Sequence, residues 1–229
     1  MAYQPGLTDQ FYHVYEYDAE NRITDVLTSY DSLVWEKDAR YSYYKHGPLA
    51  RTILGQQQVQ GIDYAYTLQG WLKGVNSSNV SKIGDIGQDG YATGITVNQV
   101  AADVYGFNLN YFNNDYKSIS GITPFAAQPV LTASDVQTGN ELFNGNIRSM
   151  AVNIPRLGTA QLYGYQYDQL NRITAMDAFT GLKVSTNAWE ALTTTANYRE
   201  RITYDANGNI LTYKRNGNKS SQQTMDDLG

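Results

Sequence analysis

Tyr17-Asp18-Ala19-Glu20-Asn21-Arg22-Ile23-Thr24 returns as Tyr167-Asp168-Gln169-Leu170-Asn171-Arg172-Ile173-Thr174. With glycine in the fifth place it returns again as Tyr204-Asp205-Ala206-Asn207-Gly208-Asn209-Ile210. A phrase repeated at this length marks a chain built from similar supersecondary units that stack on one another, and it argues against a compact enzyme domain.

Each place in the phrase has a physical reading. Asn21, Asn171 and Gly208 are residue types that accept a left-handed backbone conformation, so a chain reversal is expected there. Asp18, Asp168 and Asp205 carry short carboxylates that accept backbone N–H groups two residues on and hold a turn. Upstream, Tyr15/Tyr17, Tyr163/Tyr165/Tyr167 and Ile202/Tyr204 recur with period two, the signature of a strand with one packed face. Downstream, Ile23, Ile173 and Ile210 restart an apolar, β-branched run that makes the returning arm. The unit is a β-hairpin.

Weaker copies share the spacing. Tyr43-Tyr44-Lys45-His46-Gly47-Pro48-Leu49 and Tyr66-Thr67-Leu68-Gln69-Gly70-Trp71-Leu72 keep glycine, Gly47 and Gly70, in the reversal place. Tyr111-Phe112-Asn113-Asn114-Asp115-Tyr116 puts Asp115 there, and Phe143-Asn144-Gly145-Asn146-Ile147 carries an Asn-Gly suited to a tight two-residue hairpin. With starts at 17, 43, 66, 111, 143, 167 and 204, the basic step is roughly 23 to 26 residues, and longer gaps hold insertions. The expected organisation is one continuous array over residues 1–229, with insertions near 76–105, 119–140 and 183–197.

These phrases resemble the YD-repeat, or RHS-repeat, family, and the stretch from Asp63 to Gly74 is similar to long repeat proteins of Bacteroidetes-type bacteria. The resemblance implies a sheet of antiparallel hairpins that spirals into a hollow shell, as in bacterial RHS toxins, the toxin-complex cocoon and teneurins. It implies a structural, non-enzymatic wall segment that encloses or presents a toxin or other cargo, in a parent protein secreted by a bacterium or displayed on its surface. The self-cleaving aspartyl motif of some RHS proteins matches no stretch of this chain.

Composition agrees with an all-β fold. Twenty Tyr against six Phe and three Trp favour a sheet whose rings pack while their hydroxyls reach water or a partner. A net charge of −5 leaves no basic footprint for nucleic acid. No run approaches the roughly 20 apolar residues that span a bilayer. The absence of cysteine removes disulfides, thiolate catalysis and zinc-thiolate sites.

Within the insertions, Asn98 to Tyr105 is expected as a short helix capped by Asn98 and ended by Gly106. Residues 119–140, with Pro124 and Pro129, read as loop. In 183–197, Trp189 and Leu192 share a helical face, against which Thr193-Thr194-Thr195 argues.

Candidate chemistry is sparse, and no cofactor or metal is expected. Asp85-Ile86-Gly87-Gln88-Asp89-Gly90 opens like a calcium loop, but Gly87 and Thr96 stand where ligands belong, so a Gly/Asp surface loop is the better account. Asp18, Asp168 and Asp205 could supply the paired carboxylates of a glycosidase, yet a turn role explains every copy. His13 and His46 lack convergent partners in the sequence, and no Gly-x-Ser-x-Gly is present. Arg22 and Arg172 are placed to stack on a neighbouring Tyr or pair with an adjacent repeat's Asp. Trp35, Trp71, Trp189 and the tyrosines offer aromatic platforms, so the competing reading is a glycan- or protein-binding module. Asn76-Ser77-Ser78, Asn79-Val80-Ser81 and Asn218-Lys219-Ser220 fit N-glycosylation sequons. Sheet edges are expected to pair with neighbouring repeats or with a second copy of the chain.

Overall fold

A computed structural model describes residues 1–82, 84–90, 92–93, 96–97, 99–119, 121–127, 132–133, 136–218 and 224–228. Among these residues the regular structure is entirely β. In chain order the strands are β1 (Ala2–Tyr3), β2 (Phe11–Tyr17), β3 (Ile23–Ser29), β4 (Glu36–Tyr43), β5 (Leu49–Leu54), β6 (Gln60–Tyr66), β7 (Leu72–Val75), β8 (Ala92–Thr93) and β9 (Thr96–Val97). They continue as β10 (Gly106–Asn110), β11 (Thr132–Ala133), β12 (Val136–Gln137), β13 (Ser149–Asn153), β14 (Gln161–Tyr167), β15 (Ile173–Lys183), β16 (Ala188–Tyr204), β17 (Ile210–Asn216) and β18 (Thr224–Leu228).

The chain forms two compact units, one of residues 1–65 and 86–103, the other of 66–85 and 104–229. In the first, β1 to β6 lie side by side in sequence order, each antiparallel to the next. In the second the order is β7, β10, β13, then β14 to β18, again antiparallel throughout. The pairs β8–β9 and β11–β12 stand apart as small two-stranded ladders.

One irregularity recurs at the same motif place. Tyr17 faces Ile23 while Glu16 faces Asp25, which leaves Thr24 as an extra residue. The same slip follows Leu49, Ile173 and Ile210, where Tyr43, Tyr167 and Tyr204 close their hairpins. An extra residue on one arm bends the strand and adds right-handed twist, so each of these four hairpins carries its own twist-inducing bulge.

The tyrosine rows do not form the fully packed face that their period suggests. The buried row is the alternate set: Gly61, Asp63 and Ala65 on β6, Asn108 and Asn110 on β10, Ser149, Ala151 and Asn153 on β13. Tyr64, Tyr66, Tyr163 and Tyr165 are half-buried, and Tyr17 is 57% exposed. Phenol rings keep a polar tip near water, whereas small residues let covering segments approach the backbone. In the second unit those alternate positions meet an apolar cluster of Ala126, Ala151, Ala160, Leu162, Phe179 and Trp189.

Both helix expectations fail. Asn98 lies outside the described residues, and 99–105 is irregular, tied down by Gly90 N–H to Val100 O at 2.7 Å and Ala101 N–H to Gln58 O at 3.3 Å. Residues 188–197 belong to β16, where Trp189 faces Leu182 and enters the core beside Leu162 and Phe179. A helix this short is marginal alone, and the β-branched Thr193 to Thr195 fit the ladder opposite Ala178 to Thr180.

Candidate functional site

The motif residues build a repeated turn. Asp18 Oδ1 accepts the backbone N–H groups of Glu20 and Arg22, both at 2.9 Å, and its Oδ2 takes the Arg22 side chain at 2.7 Å. Asp168 does the same for Leu170 and Arg172. Asp205 binds Asn209 through backbone and amide, both at 2.8 Å. Asn21, Asn171 and Gly208 hold φ of 60°, 63° and 91°. The backbone bonds 18-to-22 and 21-to-18 recur as 168-to-172 and 171-to-168, as 205-to-209 and 208-to-205, and around Tyr44/Pro48 and Thr67/Trp71 with Gly47 and Gly70. Arg22 N–H, and likewise Arg172 N–H, is the chief cause holding its aspartate below the usual carboxylate range. These carboxylates are occupied by their own turns.

The same phrase ties one repeat to the next. Tyr43 donates its hydroxyl proton to Ile23 O at 2.8 Å, Tyr111 to Leu72 O at 2.9 Å, Tyr167 to Ile147 O at 2.8 Å and Tyr204 to Ile173 O at 2.8 Å. In each pair the donor is the first residue of one copy and the acceptor belongs to the copy before it, as its seventh residue at Ile23, Leu72 and Ile173 and as the fifth of the shorter copy at Ile147. Arg22 and Arg172 lie over the rings of Tyr43 and Tyr204, while Trp71, at the same motif place, packs its ring 5.0 Å from that of Tyr111.

The copies at 111 and 143 depart from the pattern. Asn114, not Asp115, takes the left-handed conformation, with φ 58°. Asn144-Gly145 does not close a tight hairpin: residues 111–148 connect β10 to its partner β13. Asp115 is released from turn duty, and its Oδ2 accepts Tyr111 N–H at 2.9 Å.

Asp115 forms the most unusual polar site of the second unit. A cleft of about 450 Å³ is lined by Lys73, Asn110, Phe112, Asp115, Tyr116 and Phe125, among others. Lys73 Nζ is 2.7 Å from Asp115 Oδ1 and donates to Asn110 Oδ1 at 2.8 Å. Asn110 Oδ1 also accepts Asn108 Nδ2 at 2.8 Å, and Asn110 Nδ2 donates to Ser149 Oγ at 2.9 Å. The Phe125 ring centroid lies 5.9 Å from Nζ. Burial pushes the Lys73 amine below the usual lysine range, against the pull of Asp115. Arg148, also buried, donates to Asn113 Oδ1 at 3.1 Å.

Four further buried aspartates hold cationic partners. Asp25 binds Lys37 and Arg40, and Asp177 binds Arg201 and Arg199 at 2.8 and 3.2 Å. Asp63 and Asp89 grip the two ends of the Arg51 guanidinium. The segment 85–90 is therefore no surface loop: Asp85 and Asp89 are buried, and a Cβ on Gly61 would overlap the Asp89 carboxylate. Thr96, in the twelfth place of the calcium reading, has no described side chain. Among the described residues no three His, Cys, Asp or Glu converge as a metal site would require.

Other sequence candidates are also located. His13 meets Phe11 edge-on and stacks on Tyr15, and His46 stacks on Tyr44. Asn76 and Asn79 are buried, which leaves no room for a glycan at those two sequons; the third extends outside the described residues. Lys73, Asn108, Asn110 and Ser149 carried no motif. Their one sequence signal is the polar alternation Asn108-Leu109-Asn110 inside a strand.

The strand order and the repeated turn define an all-β protein of antiparallel hairpins. No family model matches the chain, and no curated protein does. Among solved structures, one described as the crystal structure of TcdB2-TccC3-Cdc42 is similar to it, with a TM-score of 0.33 and 12% identity. The match covers 95% of this chain but 11% of that one, so this chain spans a small part of that protein's length.

Proposed function

We propose that the chain is a non-enzymatic structural module, a wall segment of an RHS-type shell in which hairpins form one continuous array around or beside a cargo. The observation that carries this reading is the use made of the repeated residues. Tyr43, Tyr111, Tyr167 and Tyr204 bind the preceding copy, and the Asp-Arg pairs brace the turns that hold them. Each hairpin is marginal alone and is stabilised by the next, which suits a wall extended by repetition. Neighbouring repeats, or a second copy meeting an open sheet edge, are the partners this reading requires. Electron microscopy of the intact polypeptide that carries this sequence tests it. Density for these hairpins as a stretch of curved wall beside an enclosed segment is expected; a free-standing unit with no wall overturns the reading.

One observation favours the binding-module reading. Tyr3, Phe11, His13 and Tyr15 form a row of contacting rings, with centroid separations of 4.8, 5.1 and 6.1 Å; Tyr3–Phe11 and His13–Tyr15 stack, Phe11 meets His13 edge-on, and Tyr3, Phe11 and Tyr15 are exposed. Such a row suits the apolar face of a sugar ring or a flat protein surface. Titration of oligosaccharides against the wild-type chain and Phe11→Ala, followed by tyrosine fluorescence, separates the readings: saturable binding lost in the variant supports the module.

A further inference from the structure

We propose that Lys73 and Asn110 join in an intramolecular isopeptide bond, with Asp115 moving the protons, so that β7 and β10 become covalently linked. The three groups are already assembled. The Lys73 nitrogen lies 2.8 Å from the Asn110 amide oxygen and 2.7 Å from Asp115 Oδ1, and all three residues are buried. Each remaining atom has a holder that suits the reaction. Asn108 Nδ2 donates to the amide oxygen, where negative charge develops when the carbonyl carbon is attacked. Ser149 Oγ receives the nitrogen that must leave. Tyr111 N–H anchors the far oxygen of Asp115, leaving the near one on the amine. The backbone pairs Phe107–Val75 and Asn108–Gly74 hold the two strands together around the site. Fixing amine and amide side by side removes the entropy cost that makes this reaction negligible between free side chains.

The balance is complete without any outside reagent. Asp115 takes one proton from the Lys73 ammonium, and the free amine forms a bond to Asn110 Cγ. A second proton leaves the attached nitrogen as the Cγ–Nδ2 bond breaks. Asp115 returns its proton to the departing group, which leaves as ammonia and carries away the remaining proton as ammonium. Burial supports the first step because it favours the uncharged amine over the ammonium.

Intact-mass spectrometry of the purified, denatured wild-type chain is the test. The expected result is a mass lower than the sequence mass by one ammonia, with a tryptic branched peptide in which the Lys73 side chain is joined to Asn110 and cleavage after Lys73 is lost. An unchanged mass overturns the proposal. So does an ammonia loss that maps to a succinimide at Asn144-Gly145 or Asn207-Gly208, or a loss of water in a Lys73–Asp115 branch. Asp115→Asn is expected to retain the full sequence mass with an unchanged far-UV spectrum, and a branch formed at the wild-type rate in that variant overturns the role of Asp115. The wild-type measurement stands even where that variant fails to fold.

Discussion

The guanidinium of Arg172 lies over the ring of Tyr204, its Cζ 4.6 Å from the ring centroid, while its Nε holds Asp168 at 2.6 Å. Arg22 repeats the relationship with Tyr43 at 4.5 Å and with Asp18. One side chain thus braces its own turn and covers the tyrosine of the following hairpin. The pair is partly exposed, so solvent screening limits its worth to about 0.5–1 kcal/mol. A double-mutant cycle of Arg172→Ala and Tyr204→Leu, read by urea unfolding, is expected to show a coupling energy of that size. Strict additivity would mean the stacking contributes nothing.

The tyrosine hydroxyls form the second tie. Tyr43→Phe, Tyr167→Phe and Tyr204→Phe each remove one donor and leave a backbone carbonyl without its partner, at a cost of about 1 kcal/mol. The denaturation midpoint of each variant is expected to fall with little change in the denaturant slope. Tyr30→Phe is the contrast, since Tyr30 bonds Thr8 O outside the motif, and its exposed site makes a smaller loss the expected result.

Reversal chemistry can be tested at Asn171. Its φ of 63° suits glycine and penalises a β-branched residue, so Asn171→Val is expected to lose about 1–2 kcal/mol. Asn171→Gly should lose less, because glycine occupies the same place at Gly208 with φ 91°. Thermal melts of the two variants side by side decide the point, and equal losses would contradict the backbone account.

The aspartate turns set an acid response. Asp168 has its pKa lowered on folding, mainly by the Arg172 backbone N–H, with the Arg172 side chain and Leu170 N–H adding to it. A depressed carboxylate stabilises the fold at pH above its unfolded value, ordinarily 3.8, and that stability is lost as pH falls through the folded value. Asp168→Asn is therefore expected to be less stable than wild type at neutral pH and to converge with it as pH falls through the lowered pKa of the folded Asp168. Urea midpoints measured down the pH scale show the convergence, and a constant gap would rule out the carboxylate as its source.

Arg51 tests the buried charges of the first unit. With Asp63 and Asp89 on either side, removing the guanidinium leaves two carboxylates in a closed site, and Arg51→Met is expected to cost about 3–5 kcal/mol. The variant Arg51→Met with Asp63→Leu should recover part of that loss. Chemical denaturation of both variants provides the comparison, and a single variant as stable as wild type would show that the carboxylates need no cation.

The hairpin and its direction were written in the sequence because their causes are local. An aspartate and a residue tolerant of positive φ, three places apart between apolar arms, determine a turn from atoms at most four residues away. That is why Asp18, Asp168 and Asp205 could be read without a structure. The two helix readings went wrong because short insertions have weak local preferences, and Trp189 was drawn into the ladder by Leu162 and Phe179 from distant strands. Tertiary structure alone decided which face is buried, since that depends on which segments pack over the sheet, as Ala126, Phe179 and Trp189 pack around Ala151 and Leu162 in the second unit. It alone brought Lys73, Asn110 and Asp115 to one point, because strand pairing across 37 residues, not spacing along the chain, sets that distance.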